Sequence, residues 1–441
     1  MGTPVRDDES ISEQLPIRCV VQFSAPPTET ETRAMPAQRI AMKEHRGSTN
    51  PVQAVRFGDL IYVGGQMSLD EQGRVIGKDI TTQAQNVFES LKRVLQEAGA
   101  SLSDVVKHNV FFHCDGDEAA VAKFMDDLDQ VRLKYFSDPG PTTTETRVGL
   151  EVEGALILVD AWAVVGGQRE RLMPEGHWNW SKKLPFSHGW KVGDMIFVGG
   201  QRSLDQHGKT VGIGDIEVQT DHAFRNLDTL LRAGGGDRHS LMRQNTYFRF
   251  FGQGREVTSY WEKMTNVRRR YMAVPSAAGA GLRITGFPHA DELIQVEGVG
   301  VLGTDRQRLQ PANHWDWSIP NTQFTQGWRI GKLVFCGGQI SADSKAKAVG
   351  NDIATQTRNV FQFIRNVLAE AGLDESDVVK LYIYYSAPET WPEINQTTAT
   401  IASVQREFYP TPGPASTAFR VSGFAFEDLL IEIEAMAVTR D

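Results

Sequence analysis

The sequence predicts an α+β protein of three tandem domains, each in the order β-β-α-β-α-β-β, closed into a pseudo-trimer within one chain. Three observations predict this. Gly-Gly-Gln ends an apolar strand three times, at Gly64 to Gln66, Gly199 to Gln201 and Gly337 to Gln339, and Ser-Leu-Asp or Ser341-Ala342-Asp343 follows. The copies stand 135 and 138 residues apart (64 to 199, 199 to 337). That is the size of a domain, whereas solenoid units run to roughly 20–50 residues. Around each copy the apolar period switches between 2 and 3.6, so strands and helices interleave. Two helices cover one face of such a sheet. The other face also needs burying, and three sheets turned to a common axis do this.

The elements are clearest in the first copy. Gln53 to Gln66, turning at Gly58-Asp59, reads as a two-stranded hairpin. From Asp79, the residues Ile80, Ala84, Val87, Leu91, Val94, Leu95 and Ala98 recur at helical spacing, and Gly99 stops the run. Val105 to His113 reads as a strand and Ala119 to Tyr135 as a second helix, closed by Asp138-Pro139-Gly140-Pro141. Strands Thr144 to Val152 and Ala155 to Val164 complete the unit. The third copy repeats the order, with a helix from Ile353 to Ala371 and strands Val378 to Tyr385 and Leu429 to Val438.

These elements divide the chain into an N-terminal arm (1–47), units at 48–165, 184–303 and 322–441, and linkers at 166–183 and 304–321. The arm is polar and expected to be loosely ordered, with one apolar stretch, Ile17 to Phe23, available as an edge strand. The linkers share His177-Trp178-Asn179-Trp180 and His314-Trp315-Asp316-Trp317. Tryptophans two apart point the same way on an extended chain, as anchors on the neighbouring unit or as a wall for a substrate.

Composition narrows the function classes. The net charge of −9 disfavours a phosphate-backbone partner. The densest basic run, Arg268-Arg269-Arg270, reads as a solvated helix face. No apolar run is long enough for a bilayer, and the N-terminus has no charged-then-apolar targeting pattern, so a cytoplasmic protein is expected. Three scattered cysteines form no Cys-x-x-Cys pair, and there is no phosphate loop, dinucleotide fingerprint or His-Glu-x-x-His. Neither metal nor cofactor is expected, and the partner is a small-molecule substrate.

Several segments in fixed order resemble the RidA (reactive intermediate deaminase) family. They are Val55 to Gln66, Asp352 to Val360, Glu370-Ala371-Gly372-Leu373 with Asp377 to Lys380, and Ile431-Glu432-Ile433-Glu434-Ala435. The resemblance implies RidA-like (chorismate mutase-like) domains, with clefts between adjacent units. It also implies metal-free hydrolysis of enamines or imines. The family holds the substrate carboxylate with an arginine two residues after the proline that opens the fifth strand. Aligned on Pro141, Pro275 and Pro414, that arginine is Thr143, Ala277 and Ser416 here, and a cysteine two residues further is Glu145, Gly279 and Ala418. The water-positioning glutamate is Leu158, Gln295 and Glu432, and the cleft tyrosine is Pro51, Phe186 and Phe324.

Only the third unit keeps the acid. The expected catalytic pair is therefore Glu432, as general base on water, and Arg420, reached from the adjacent strand. Arg147 and Arg283 recur at the equivalent place in the other units, as substrate-binding groups or as structural pairs. Gly337 and Gly338, with backbone N–H groups at the cleft, and Phe324 complete the expected substrate site. A non-catalytic binding or scaffold protein is the competing reading. An endoribonuclease is the remote one, given the acidic balance.

Overall fold

The computed structural model describes residues 37–42, 51–312, 314–315, 324–345, 347–409 and 412–440. Unit 1 contains β1 (Gln38–Ile40), β2 (Ala54–Phe57), β3 (Leu60–Gln66), α1 (Ile80–Glu97), β4 (Val105–Phe112), α2 (Glu118–Tyr135), β5 (Thr142–Arg147) and β6 (Ile157–Val164). Unit 2 contains β7 (Arg169–Leu172), β8 (Gly189–Val192), β9 (Met195–Arg202), α3 (Ile216–Ala233), β10 (Leu241–Arg249), α4 (Arg255–Arg268), β11 (Gly281–Ile284) and β12 (Ile294–Val301). Unit 3 contains β13 (Arg306–Leu309), β14 (Gly327–Ile330), β15 (Leu333–Ile340), α5 (Ile353–Ala369), β16 (Val378–Tyr385), α6 (Trp391–Phe408), β17 (Ala415–Arg420), β18 (Gly423–Phe424) and β19 (Ile431–Val438).

Each unit builds one mixed sheet, in the orders β1-β2-β3-β6-β4-β5, β7-β8-β9-β12-β10-β11-β18 and β13-β14-β15-β19-β16-β17, the second completed at its edge by β18 of unit 3. In every unit the fourth and fifth core strands run parallel and the remaining pairs antiparallel. The first helices start alike, with Asp79, Asp215 and Asp352 accepting backbone N–H bonds from the first turn. Their apolar stripes lie on the outer sheet faces, with Ala84, Val87, Leu91 and Val94 of α1 fully buried.

The inner faces share one core. Phe111 of unit 1 stacks on Phe419 of unit 3 at 4.2 Å, and Trp162 meets Phe197 of unit 2 at 6.1 Å. A ring of buried ion pairs lies within it. Lys107 reaches Glu297 at 2.7 Å, Arg243 reaches Glu434 at 2.9 Å and Lys380 reaches Asp160 at 3.5 Å. Each unit's β4-type cation thus meets the next unit's acid, and the cycle closes. Burial alone would raise the Glu297 carboxyl, but Lys107 and Arg243 outweigh it and hold its pKa at about 2. Lys380 is pulled down to about 8, because Asp160 only partly offsets its burial.

Two stretches read as linker contain strands. β7 and β13 lie within 166–183 and 304–321 and pair antiparallel with β8 and β14. The first tryptophan pair is an anchor. Trp178 is 4% exposed and, with His177, donates to or shares hydrogen bonds with Gln201 Oε1. Trp315 is also buried, while Asp316 and Trp317 lie outside the described residues. In the arm, Ile17 to Phe23 lies outside them too. β1, however, pairs with β2, and Arg39 donates to Gly413 and Val378 carbonyls of unit 3, so this part of the arm ties units 1 and 3 together.

Candidate functional site

Each cleft draws one wall from the fifth strand and second helix of one unit, and the other from the Gly-Gly-Gln strand and last strand of the next. The Gly-Gly-Gln glutamines hold this bend. Gln66, Gln201 and Gln339 each donate from Nε2 to the carbonyl of the first glycine, at 3.0 to 3.1 Å. The second glycine leaves room for the residue that stands at the family's glutamate position. A Cβ there would lie 1.9 Å from Glu432 Oε1 at Gly338, 2.3 Å from Gln295 Oε1 at Gly200 and 2.6 Å from Leu158 Cδ1 at Gly65. Three equivalent clefts therefore carry an acid, an amide and a hydrocarbon.

The register also corrects the alignment of unit 2. Lys107 pairs with Thr142 and Lys380 with Ala415, while the corresponding Arg243 bridges to Ala278. Thr143, Gly279 and Ser416 are thus equivalent, and so are Glu145, Gly281 and Ala418. Pro275 corresponds to Pro139 rather than Pro141, so aligning on the proline places Ala277 two residues early.

Glu432 lies between units 2 and 3, in a cavity of about 30 Å3 lined by Trp261, Gly279, Gly281, Phe324, Gly338 and Phe424 among others. It is 7% exposed. Burial, with the Glu434 carboxylate beside it, raises its pKa well above the carboxylate range, against the Gly281 N–H, which donates to it. Its surroundings therefore disfavour the ionised carboxylate, through burial first and the neighbouring Glu434 second.

Arg420 does not join it. The cleft of Glu432 takes its fifth strand from unit 2, so Arg420, on unit 3's fifth strand, faces unit 1. Its backbone exchanges hydrogen bonds with Gly149 at 2.9 and 3.0 Å. Arg147 bridges in the same way to Gly286 of unit 2, and Arg283 to Gly423 and Ser422 of unit 3. Arg283 also donates from its guanidinium to the Gly252 and Ser422 carbonyls, and the Arg147 guanidinium reaches the Gly116 carbonyl at 3.5 Å. The three recurrent arginines close the ring rather than gather in one cleft. Nor are the glycine N–H groups open to an oxyanion. Gly337 donates to Gln326 O at 2.9 Å and Gly338 to Gly279 O at 3.0 Å.

Phe324 does line the Glu432 cleft, and behind it lies a residue the sequence reading put in solvent. Arg268, on α4, is 1% exposed, with its guanidinium 4.2 Å from the Phe324 ring centroid and 4.8 Å from that of Trp261. Burial lowers its pKa to about 9. The available signal was spacing, because Arg132 and Arg268 stand the same seven residues before Pro139 and Pro275.

The cleft between units 1 and 2 is sealed by ions. Arg132 binds Glu145 at 2.6 Å and also Asp129, while Arg202 bridges Glu145 at 3.7 Å and Glu292 at 2.5 Å. Gln295 accepts from the Glu145 N–H at 3.1 Å. The cleft between units 3 and 1 is open, with a cavity of about 400 Å3. Asp160, on the last strand of unit 1, is committed to Lys380, Thr417 and Asn109.

Three fused sheets with inter-unit clefts define a pseudo-trimeric α+β protein of the RidA type. The chain belongs to the family described as Endoribonuclease L-PSP, which it matches three times, over residues 45–165, 181–278 and 318–439. A RutC family protein of Pyrococcus abyssi is 35% identical over 112 residues, covering 25% of this chain and 83% of the relative. A 2-iminobutanoate/2-iminopropanoate deaminase of Salmonella typhimurium is 29% identical over 117 residues, 26% of this chain and 88% of its own. Each relative is thus about one unit long. A solved chorismatase structure covers 76% of this chain and 93% of its own, at 14% identity and a TM-score of 0.51, a likeness of fold alone. Among the described residues no helix is long and apolar enough to cross a membrane.

Proposed function

We propose that the chain is a RidA-type deaminase that hydrolyses a C–N or C=N bond of a small molecule in the cleft of Glu432. The observation that carries this reading is a buried glutamic acid lying over Gly338 in a cleft shared by two units, where burial disfavours its ionised form. The deaminase names among the relatives point to the same chemistry. Glu432 gives its proton to the enamine carbon, leaving an iminium. Water adds to the nitrogen-bearing carbon of this iminium, not to the carbon that took the proton, and returns a proton to the carboxylate. The re-formed acid then protonates the nitrogen, which leaves as ammonia while the hydroxyl proton passes to Glu432 and the carbonyl forms. The net reaction consumes one water, and the acid is regenerated.

The cavity of about 30 Å3 is large enough for a water molecule and little more. A substrate enters only when Trp261, Phe324 and Phe424 part, and such a wall favours an unsaturated or aromatic molecule. Gly279 stands where the family's carboxylate-binding arginine would reach this cleft, so 2-aminoacrylate is expected to be a poor substrate. The test is ammonia release from 2-aminoacrylate and from aromatic enamines generated in situ. Glu432→Gln should lower the rate by about 100-fold or more with the fold intact, and Gln295→Ala should leave it unchanged. Full activity of the Glu432 variant would remove the reaction from this cleft.

A further inference from the structure

The cleft between units 3 and 1 has a different chemistry. Its cavity of about 400 Å3 falls in the range of small-molecule sites, roughly 300–1,000 Å3. Leu158, Ile383, Ile401 and Ala418 supply an apolar lining. Leu158 occupies the place that Glu432 takes in its own cleft, so no proton donor stands over Gly65. Ser416 stands where the family's arginine would be. The charged residues on the lining are Glu151 and Arg406, one of each sign.

Tyr385 and Tyr409 also line this cavity, 1% and 5% exposed, and among the described residues neither hydroxyl has a hydrogen-bond partner. Burial, reinforced by Glu151 at Tyr385 and by Cys336 at Tyr409, raises both above the ordinary tyrosine pKa. Both therefore keep their protons and are donors. Buried donors without acceptors are costly, and a ligand that brings acceptors relieves that cost.

The geometry points to this cleft as a second small-molecule site, which holds an uncharged, ring-sized ligand bearing hydrogen-bond acceptors and does not hydrolyse it. On the lining itself a carboxylate would meet an apolar wall and one charge of each sign, while Arg420 acts on Tyr385 from off the lining, so the carboxylate's desolvation would be poorly compensated. The site shares no residue with the cleft of Glu432, so it stands or falls apart from the deaminase reading.

Benzamide is a suitable probe, being neutral and ring-sized with a carbonyl oxygen that accepts hydrogen bonds, and its hydrolysis would release ammonia. Calorimetric titration into the full chain should show saturable binding without ammonia release, with benzoate weaker by about tenfold or more. Leu158→Trp fills the cavity from unit 1 and should abolish binding. Ala402→Phe, on the half-buried face of α6, fills it from the other side and serves if the first variant fails to fold. Tyr385→Phe should weaken binding by about tenfold, and Glu432→Gln should leave it unchanged. The proposal is overturned by absent benzamide binding, by equal affinity for benzoate, by ammonia release, or by binding that survives both filling variants.

Discussion

Gly338 lacks a side chain where Glu432 needs the space, and the comparison among the three units turns this into a test. In Gly338→Ala the new methyl meets a carboxyl oxygen at 1.9 Å. Glu432 must swing away, and activity should fall by about 100-fold. In Gly65→Ala it meets the far end of the Leu158 side chain at 2.6 Å, which can rotate, so turnover should change by less than about twofold. The same carboxyl gives a pH signature. Its folded pKa is raised, so above the ordinary carboxylate range the unfolded chain ionises while the folded chain does not, and stability falls as pH rises. Glu432→Gln should therefore raise Tm at pH 7 relative to wild type, and the gain should vanish near pH 4; an equal gain at both would reject a buried neutral acid. Glu432 itself was legible from the Glu-x-Glu ending. The residues around it were not, because they are written in another unit: Gly281 and Trp261 of the cleft, and Arg268 behind Phe324, lie about 150 to 170 residues earlier in the chain.

The hairpins, first helices and fourth strands were legible because one face of each is apolar at a clean period, as in Val378–Tyr385, whose bounds match the expectation. β7 and β13 were missed because Arg-Glu-Arg-Leu and Arg-Gln-Arg-Leu carry no apolar alternation. Only the neighbouring edge strand tells them to pair. The second helices show how one position decides a cleft. Arg132, Arg268 and Gln405 stand equally far before Thr143, Gly279 and Ser416. Arg132 seals its cleft against Glu145, whereas Gln405 lines the open cavity. Arg132→Met should thus leave Glu145 and Asp129 buried with too few partners and cost about 3–5 kcal/mol in denaturant unfolding. Gln405→Met should cost less than about 1 kcal/mol. Equal costs would mean that the ion lattice contributes nothing to closing the first cleft.

The buried cycle of cations and acids spans all three units, and its sequence trace is a lone cation at the third position of Val105-Val106-Lys107, Leu241-Met242-Arg243 and Val378-Val379-Lys380. Lys380→Met alone should be strongly destabilising, by about 3–5 kcal/mol, because Asp160 remains buried with only Asn109 and Thr417. The double variant Lys380→Met with Asp160→Leu should recover most of that loss, since apolar groups of similar volume can replace a buried pair. A double variant no better than the single one would show that the cycle specifies the ring and does more than satisfy its own charges. Fusion has a further consequence for this arrangement. In a ring of identical chains, any substitution is copied into every cleft at once. Here each wall is encoded once, so a single codon alters one cleft and leaves its neighbours as they were. An ion lattice, a buried carboxyl and an open apolar chamber can then coexist at three places that would otherwise be the same.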